Sequence, residues 1–391
     1  MNKFVYLDHA AATPLDSRVF EVMRPWLEGG VGNPSSFHSP GKEAKNAVET
    51  AREAISKILS CRAEEIVFTS GGTEADNLAI LGFARANSAA GKHIVISAIE
   101  HHAVLESTAQ LEKEGFKITK VLPNKDGIIE LEAIKAAVRP DTILVSVMLA
   151  NNEIGTIQPI SEIGNWIQKT RGEKQYPIFH TDACQAAGVL DISVEKIHVD
   201  MMTINGSKIY GPKGVGVLYV RKGLRLQPLQ FGGAQERGIR PGTENVAAIA
   251  GLATALELSQ KEKEAEGARL VGLRDKLISG ILSVVPKTKL NGHPTDRLPN
   301  NVNISFLDIE GEALMLYLDA KGIFVSTGSA CASASLDPSH VILALGKSPE
   351  EAHGAMRFSL GHSTNEEDID YVLKVLPPLV EKLREMSSVK L

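Results

Sequence analysis

Cysteine is scarce: Cys61, Cys184 and Cys331 are the three in a chain of 391 residues. They are far apart and include no Cys-x-x-Cys pair, which excludes the common zinc patterns and a disulfide framework. Such usage fits a reducing, cytoplasmic setting. An excess of either charge is also missing. With 42 basic and 47 acidic residues the net charge is −5, which gives no handle for nucleic acid or an anionic membrane. Long apolar runs are absent as well. The longest small-apolar stretch, Val246 to Leu256, is too short to span a bilayer and contains Thr254. The first residues lack the apolar core of a signal peptide. No internal repeat and no low-complexity segment is present.

What the chain does have is alternation. Residues 41–59 carry Ala44, Ala47, Val48, Ala51, Ile55, Ile58 and Leu59 on one helical face. A buried strand is predicted at Ile66–Thr69 and a helix over Glu74 to Ala84. Further strands are predicted at His93–Ser97, Lys117–Leu122, Ile143–Leu149, Ile178–Thr181, Met201–Ile204 and Val215–Val220. Continuous apolar strands separated by helices imply a largely parallel sheet covered on both faces. After residue 256 the pattern changes. A long charged helix is predicted over 257–285, then strands such as Val302–Phe306, and a last helix opened by a Thr364–Glu367 capping box and interrupted or kinked by Pro377-Pro378. The length calls for two domains. We expect a large one over residues 14–256 and a smaller α+β one over 257–391, joined by residues 1–13.

Two turns carry chemistry. Asp182 ends an apolar strand, where ligands collect in open α/β sheets; a helix N-cap is the plainer reading. Lys208 follows Asn205-Gly206-Ser207 between two apolar strands, whereas a lysine in a turn is ordinarily solvated. Together an amine and a carboxylate are what pyridoxal phosphate needs, one for a Schiff base and one for its ring nitrogen. Ser70-Gly71-Gly72-Thr73 links strand to helix and could cradle a phosphate or form only a tight turn. Asn151 and Asn152 end another strand and could bind a phenolic oxygen or cap a turn. His101 and His102 could stack on an aromatic ring; with no third ligand in reach, no metal site is expected. Ser326 to Ser335 is a run of small residues around Cys331, read either as an accessible thiol on a mobile loop or as a turn whose cysteine packs like alanine. Arg357 could grip a carboxylate with its fork or form a surface ion pair.

The chain resembles the cysteine desulfurases of the NifS/IscS type, within the fold-type-I pyridoxal phosphate enzymes. The likeness runs nearly end to end: Tyr6 to Pro14, Thr69 to Asn77, Glu100 to Val104, Asn151 to Gly155, Asp182 to Gln185, Lys208 to Gly216, Arg237 to Thr243, Ser329 to Cys331 and Arg357 to Ser359. It implies an α/β fold with a mainly parallel seven-stranded sheet in the large domain. It also implies roles by position. Lys208 would carry the Schiff base and act as general base, and Asp182 would pair with the pyridine nitrogen. Gln185 and Asn152 would contact the phenolic oxygen side, and His101 would stack on the ring and assist proton transfer. Gly72, Thr73, Asn205 and Ser207 would hold the phosphate, with Thr243 reaching the phosphate of a partner subunit in a homodimer. Arg357 and Asn152 would bind L-cysteine, and Cys331 would take its sulfur as a persulfide for delivery to an acceptor in iron–sulfur cluster assembly or tRNA thiolation. Apart from Gln235, which stands where histidine is frequent, two positions depart from the pattern: Ser207 stands where histidine is usual, and Asn205 where serine is common. Neither can add positive charge beside a phosphate. An aminotransferase would need no Cys331, a selenocysteine lyase would share nearly every residue, and a sulfur-delivery platform with weak catalysis is the reading from a different class.

Overall fold

The computed structural model describes residues 3–172, 174–328 and 337–386. Its strands are β1 (Val5–Tyr6), β2 (Ile66–Thr69), β3 (His93–Ser97), β4 (Lys117–Val121), β5 (Thr142–Ser146), β6 (Ile178–Asp182), β7 (Met201–Asn205), β8 (Gly216–Val220), β9 (Thr288–Leu290), β10 (Asn301–Phe306), β11 (Ile323–Phe324) and β12 (Ala355–Ser359). Seven of them form one sheet in the order β2-β8-β7-β6-β5-β3-β4. Only β8 runs against its neighbours; the other pairs are parallel. Every residue of β3, β5, β6 and β8 is buried, as a sheet covered on both faces requires. The predicted parallel α/β architecture is therefore present.

A three-stranded antiparallel sheet, β12-β10-β9, and the parallel pair β1-β11 make up the rest. They enclose a second apolar core that includes Val5, Leu7, Phe306, Phe358 and Val380.

Helix boundaries differ from the predicted ones for physical reasons. The apolar stretch from Val246 and the charged stretch after it form one 39-residue helix, Val246–Val284. Leu252 and Leu256 in its first half belong to the core under the large sheet, and Leu270, Leu273 and Leu277 in its second half to the other core. The change in composition marks a change of surroundings, not a break in the backbone. Its N-cap is Asn245, whose side chain accepts the Ala248 N–H. The final helix, Glu366–Met386, continues through Pro377 and Pro378 without interruption. Its capping box is shifted by one residue: Asn365 and Asp368 accept each other's backbone N–H at 3.0 and 3.1 Å. Thr364 is occupied with the Gly361 N–H instead. The helix expected from Glu74 starts at Gly72 and contains a π-helical turn, Leu78–Gly82.

Among the described residues no helix is long and apolar enough to cross a membrane.

Candidate active site

The carboxyl ends of β6 and β7, the segment after β5 and the turn after β2 meet around a cavity of about 190 Å³. Of the residues predicted to serve a cofactor or substrate, Gly72, Thr73, His101, Asn152, Asp182, Gln185, Asn205, Lys208 and Arg357 all line it. The large sheet gathers all of these but Arg357, because its parallel strands end on the same side.

Asp182 is the last residue of β6, 6 % exposed. Its Oδ1 accepts the Cys184 N–H at 2.8 Å, a bond that favours the anion. No helix begins here; residues 184–189 form turns, so the helix-cap alternative does not hold. Lys208 closes the one-turn helix Gly206–Lys208 after β7 and is half-buried, its Nζ donating to the Ala11 carbonyl. Lys213 is exposed and lies outside the cavity lining.

Gly71 has φ 150°, and a Cβ on Gly72 would come within 2.8 Å of Cys184 Sγ. The helix that starts at Gly72 therefore brings bare backbone to the cavity, and the N–H groups of a helix's first turn have no partner inside the helix. Asn205 bends the next turn: its Oδ1 accepts from Ser207 N and Oγ, both at 3.2 Å. Ser207 itself is outside the cavity lining, its carbonyl taking the Thr13 N–H. Gln185 donates from Nε2 to the Ala10 carbonyl at 3.0 Å.

His101 caps the helix His102–Lys113 by accepting the Ala103 N–H on Nδ1. In the neutral ring the proton thus sits on Nε2. Burial pushes its pKa below the ordinary histidine value, against the pull of Asp182. Arg357 is delivered by β12 and is 1 % exposed. Its Nη1 donates to the Asn152 carbonyl at 3.1 Å and its Nη2 to Asp8 at 2.8 Å. Its Nε has no hydrogen-bond partner among the described residues. Such an orphaned donor, buried beside an amine and a backbone cradle, fits an anionic substrate and a phosphate-bearing cofactor. The residues present therefore suit pyridoxal phosphate.

Besides Ser207, one described residue of the predicted set does not line the cavity. Thr243 is exposed and away from it. Cys331 lies outside the described residues; on either side of that stretch, a Cβ on Gly328 would come within 3.2 Å of Glu153 Oε2, and Ser339 Oγ donates to the same oxygen at 2.5 Å.

The sequence reading did not single out Asp8, Asp76, Glu100 or His180. Asp76 lines the cavity, and burial followed by the nearby Asp182 pushes its carboxyl well above the usual range. Glu100 is fully buried, and burial raises its pKa to about 8. His180 is pushed down to about 4 by burial. A signal for Asp76 was available: it stands four residues after Gly72, one helical turn on. Among the described residues no group of three or more His, Cys, Asp or Glu is arranged to hold a metal ion.

Residues 5–372 match the family profile described as Aminotransferase class-V. A cysteine desulfurase IscS of Clostridium botulinum is 53% identical over 99% of this chain and 97% of its own length. That of Methanosarcina thermophila is 51% identical over 99% of this chain and 94% of its own. Among solved structures, a NifS-like protein superposes with a TM-score of 0.91 at 38% identity, covering 97% of this chain and all (100%) of that one. A structure described as SspA in complex with cysteine gives 0.79 at 36% identity, covering 91% of this chain and 98% of that one. Members of this family depend on pyridoxal phosphate, and with the fold, the cavity and these likenesses in agreement the chain belongs to the cysteine desulfurases of the NifS/IscS type, within the class-V aminotransferases.

Proposed function

We propose that the cavity converts L-cysteine to L-alanine and that Cys331 receives the sulfur as a persulfide, for delivery to an acceptor protein. The observation that carries this reading is the convergence of Lys208, Asp182 and Arg357 on one cavity. The SspA relative in complex with cysteine supports the substrate. Gly72, Thr73 and Asn205 would hold the phosphate of pyridoxal phosphate, Asp182 its ring nitrogen, His101 its face, and Gln185 and Asn152 its phenolic side; Ser207 supports the phosphate turn through Asn205. When bound, the cofactor supplies an electron sink that makes the substrate's Cα proton acidic.

This chain's own groups do the remaining work. Arg357 binds the carboxylate of cysteine and orients the amino acid. The Lys208 amine takes and returns the α-proton as general base. His101, with its proton on Nε2, serves as a donor inside the cavity. The Cys331 thiolate attacks the substrate's sulfur. The Cβ–S bond breaks with its electron pair left on carbon, which is protonated, while an S–S bond forms. Cysteine plus the Cys331 thiol thus yields alanine plus a Cys331 persulfide, with every atom accounted for.

The exposure of Thr243 suits a homodimer in which it completes the phosphate site of the second subunit. The core that holds Val5, Leu7 and residues between Leu270 and Leu383 supports a second unit after residue 256 with residues 1–13 joined to it, while Leu298, Val341, Ile342 and Leu345 pack into the core under the large sheet. The sulfur acceptor is a protein of iron–sulfur assembly or tRNA thiolation. Mass spectrometry of the holoenzyme after incubation with L-cysteine tests the central step: Cys331 gains one sulfur, and an unmodified Cys331 with continuing alanine formation would reject it.

A further inference from the structure

Asp182 shares the floor of the cavity with a second carboxylate. Asp76 and Asp182 are 1 % and 6 % exposed, both line the cavity, and their side chains are within hydrogen-bonding reach. The groups facing the pair are Glu100, His180, Cys184, Thr203, His101 and Lys208. Few of them offset a double charge. His180 Nε2 is 3.7 Å from Asp76 Oδ1, but it has a closer partner in Thr203 Oγ1 at 3.1 Å, while Nδ1 meets Ser146 Oγ at 2.9 Å. Burial keeps that ring neutral. Glu100 would only add negative charge, and the buried Cys184 thiol is pushed towards its neutral form.

Two buried carboxylates in contact do not both ionise; one retains a proton. The hydrogen bonds say which. Asp182 Oδ1 accepts the Cys184 N–H, which stabilises its anion. Asp76, the more deeply buried of the two, takes a hydrogen bond from Thr203 but keeps its Oδ1 without a hydrogen-bond partner among the described residues, and a buried oxygen left so is better tolerated on a neutral acid than on an anion. We propose that Asp76 keeps the proton and donates it in a hydrogen bond to Asp182, making Asp76 a positioning residue that leaves one negative charge at the floor of the cavity. The upward shift of the Asp76 carboxyl by burial agrees with this. The inference rests on the reading of Asp182 as the partner of the cofactor's ring nitrogen. A carboxylate that already accepts two hydrogen bonds is a weaker base, so a proton shared with the ring nitrogen stays on the ring, where it is needed.

Infrared difference spectroscopy of the holoenzyme, wild type minus Asp76→Asn at pH 7, tests the proton directly. The carbonyl stretch of a protonated carboxylic acid is expected in the wild type and lost in the variant. Asp76→Asn can still donate to Asp182 and should bind pyridoxal phosphate within about 3-fold of the wild type, whereas Asp182→Asn should weaken binding at least about 10-fold. A missing band overturns the proposal and leaves the role of Asp182 intact. A tenfold loss in Asp76→Asn places the charge on Asp76 and also overturns it. Unchanged affinity in Asp182→Asn overturns both readings. Should Asp76→Asn not fold, carbon-13 NMR of wild-type holoenzyme labelled at the aspartate carboxyls decides: a resonance of a protonated carboxyl at pH 7 supports the proposal, and its absence rejects it.

Discussion

The Arg357 guanidinium, buried in the wall of the cavity, holds Asp8 through Nη2 at 2.8 Å. The group read as the binder of the substrate's carboxylate therefore already has one carboxylate beside it. Asp8 fixes the plane of the fork and keeps the buried cation from standing alone. It also repels an incoming carboxylate.

Arg357→Lys should raise KM for L-cysteine by about 10–100-fold, because a point charge replaces a two-pronged donor. Asp8→Asn should lower KM by about 2–5-fold, since its amide oxygen still accepts from Arg357 but the like charge is gone. Steady-state alanine formation measures both. Unchanged KM in Arg357→Lys would remove Arg357 from substrate binding.

Lys208→Ala should abolish turnover, by about 10⁴-fold or more, since nucleophilic amine and general base are lost together. Borohydride treatment of the wild type should leave the reduced cofactor attached at Lys208 in a peptide map. Attachment at Lys213 would reassign the amine.

Cys331→Ser should keep the bound cofactor's visible absorbance and its affinity for pyridoxal phosphate. Sulfide release from cysteine should fall to background, because serine's hydroxyl is a poor nucleophile towards sulfur. Sulfide release at the wild-type rate would move the acceptor role elsewhere.

Two buried groups act on stability from opposite sides of neutral pH. The folded-state pKa of Glu100 is about 8 against an ordinary 4.5, so the folded state binds the extra proton between those values. Its contribution is complete below 4.5 and is lost as pH rises through 8. The folded-state pKa of His180 is about 4 against 6.5, so the unfolded state binds more protons there and stability is lost as pH falls from 6.5 to 4. Melting temperatures of the wild type should drop towards both ends. Glu100→Gln should shrink the drop between pH 6 and pH 8.5 by about 2–4 °C. An unaltered alkaline slope would show that Glu100 is already ionised at neutral pH.

Much of the large sheet was legible because its strands are continuous apolar runs of ordinary strand length. Ile66–Thr69 and His93–Ser97 stand where the pattern puts them. The errors fall where a local signal has competitors nearby. Thr364 and Asn365 can both cap a helix, and the choice went to Asn365 because Thr364 Oγ1 was taken by Gly361. The helix from Val246 was split in the reading because its charged second half changes composition, although its backbone bonding does not notice.

Local pattern marked the turns of Gly72, Asp182 and Lys208, since glycine, a strand-end acid and a lysine between strands act within a few residues of themselves, but their roles toward a cofactor came from the family resemblance. The partners of those groups were not legible. Asp8 and Arg357 are 349 residues apart and meet only once β12 has paired with β10 and the N-terminal segment has settled beside β12. Asp76 and Asp182 come from different elements, and which of them holds a proton depends on the Cys184 N–H at Asp182, the Thr203 side chain at Asp76 and the removal of water around both. Charge state in a buried site is set by what surrounds it in space.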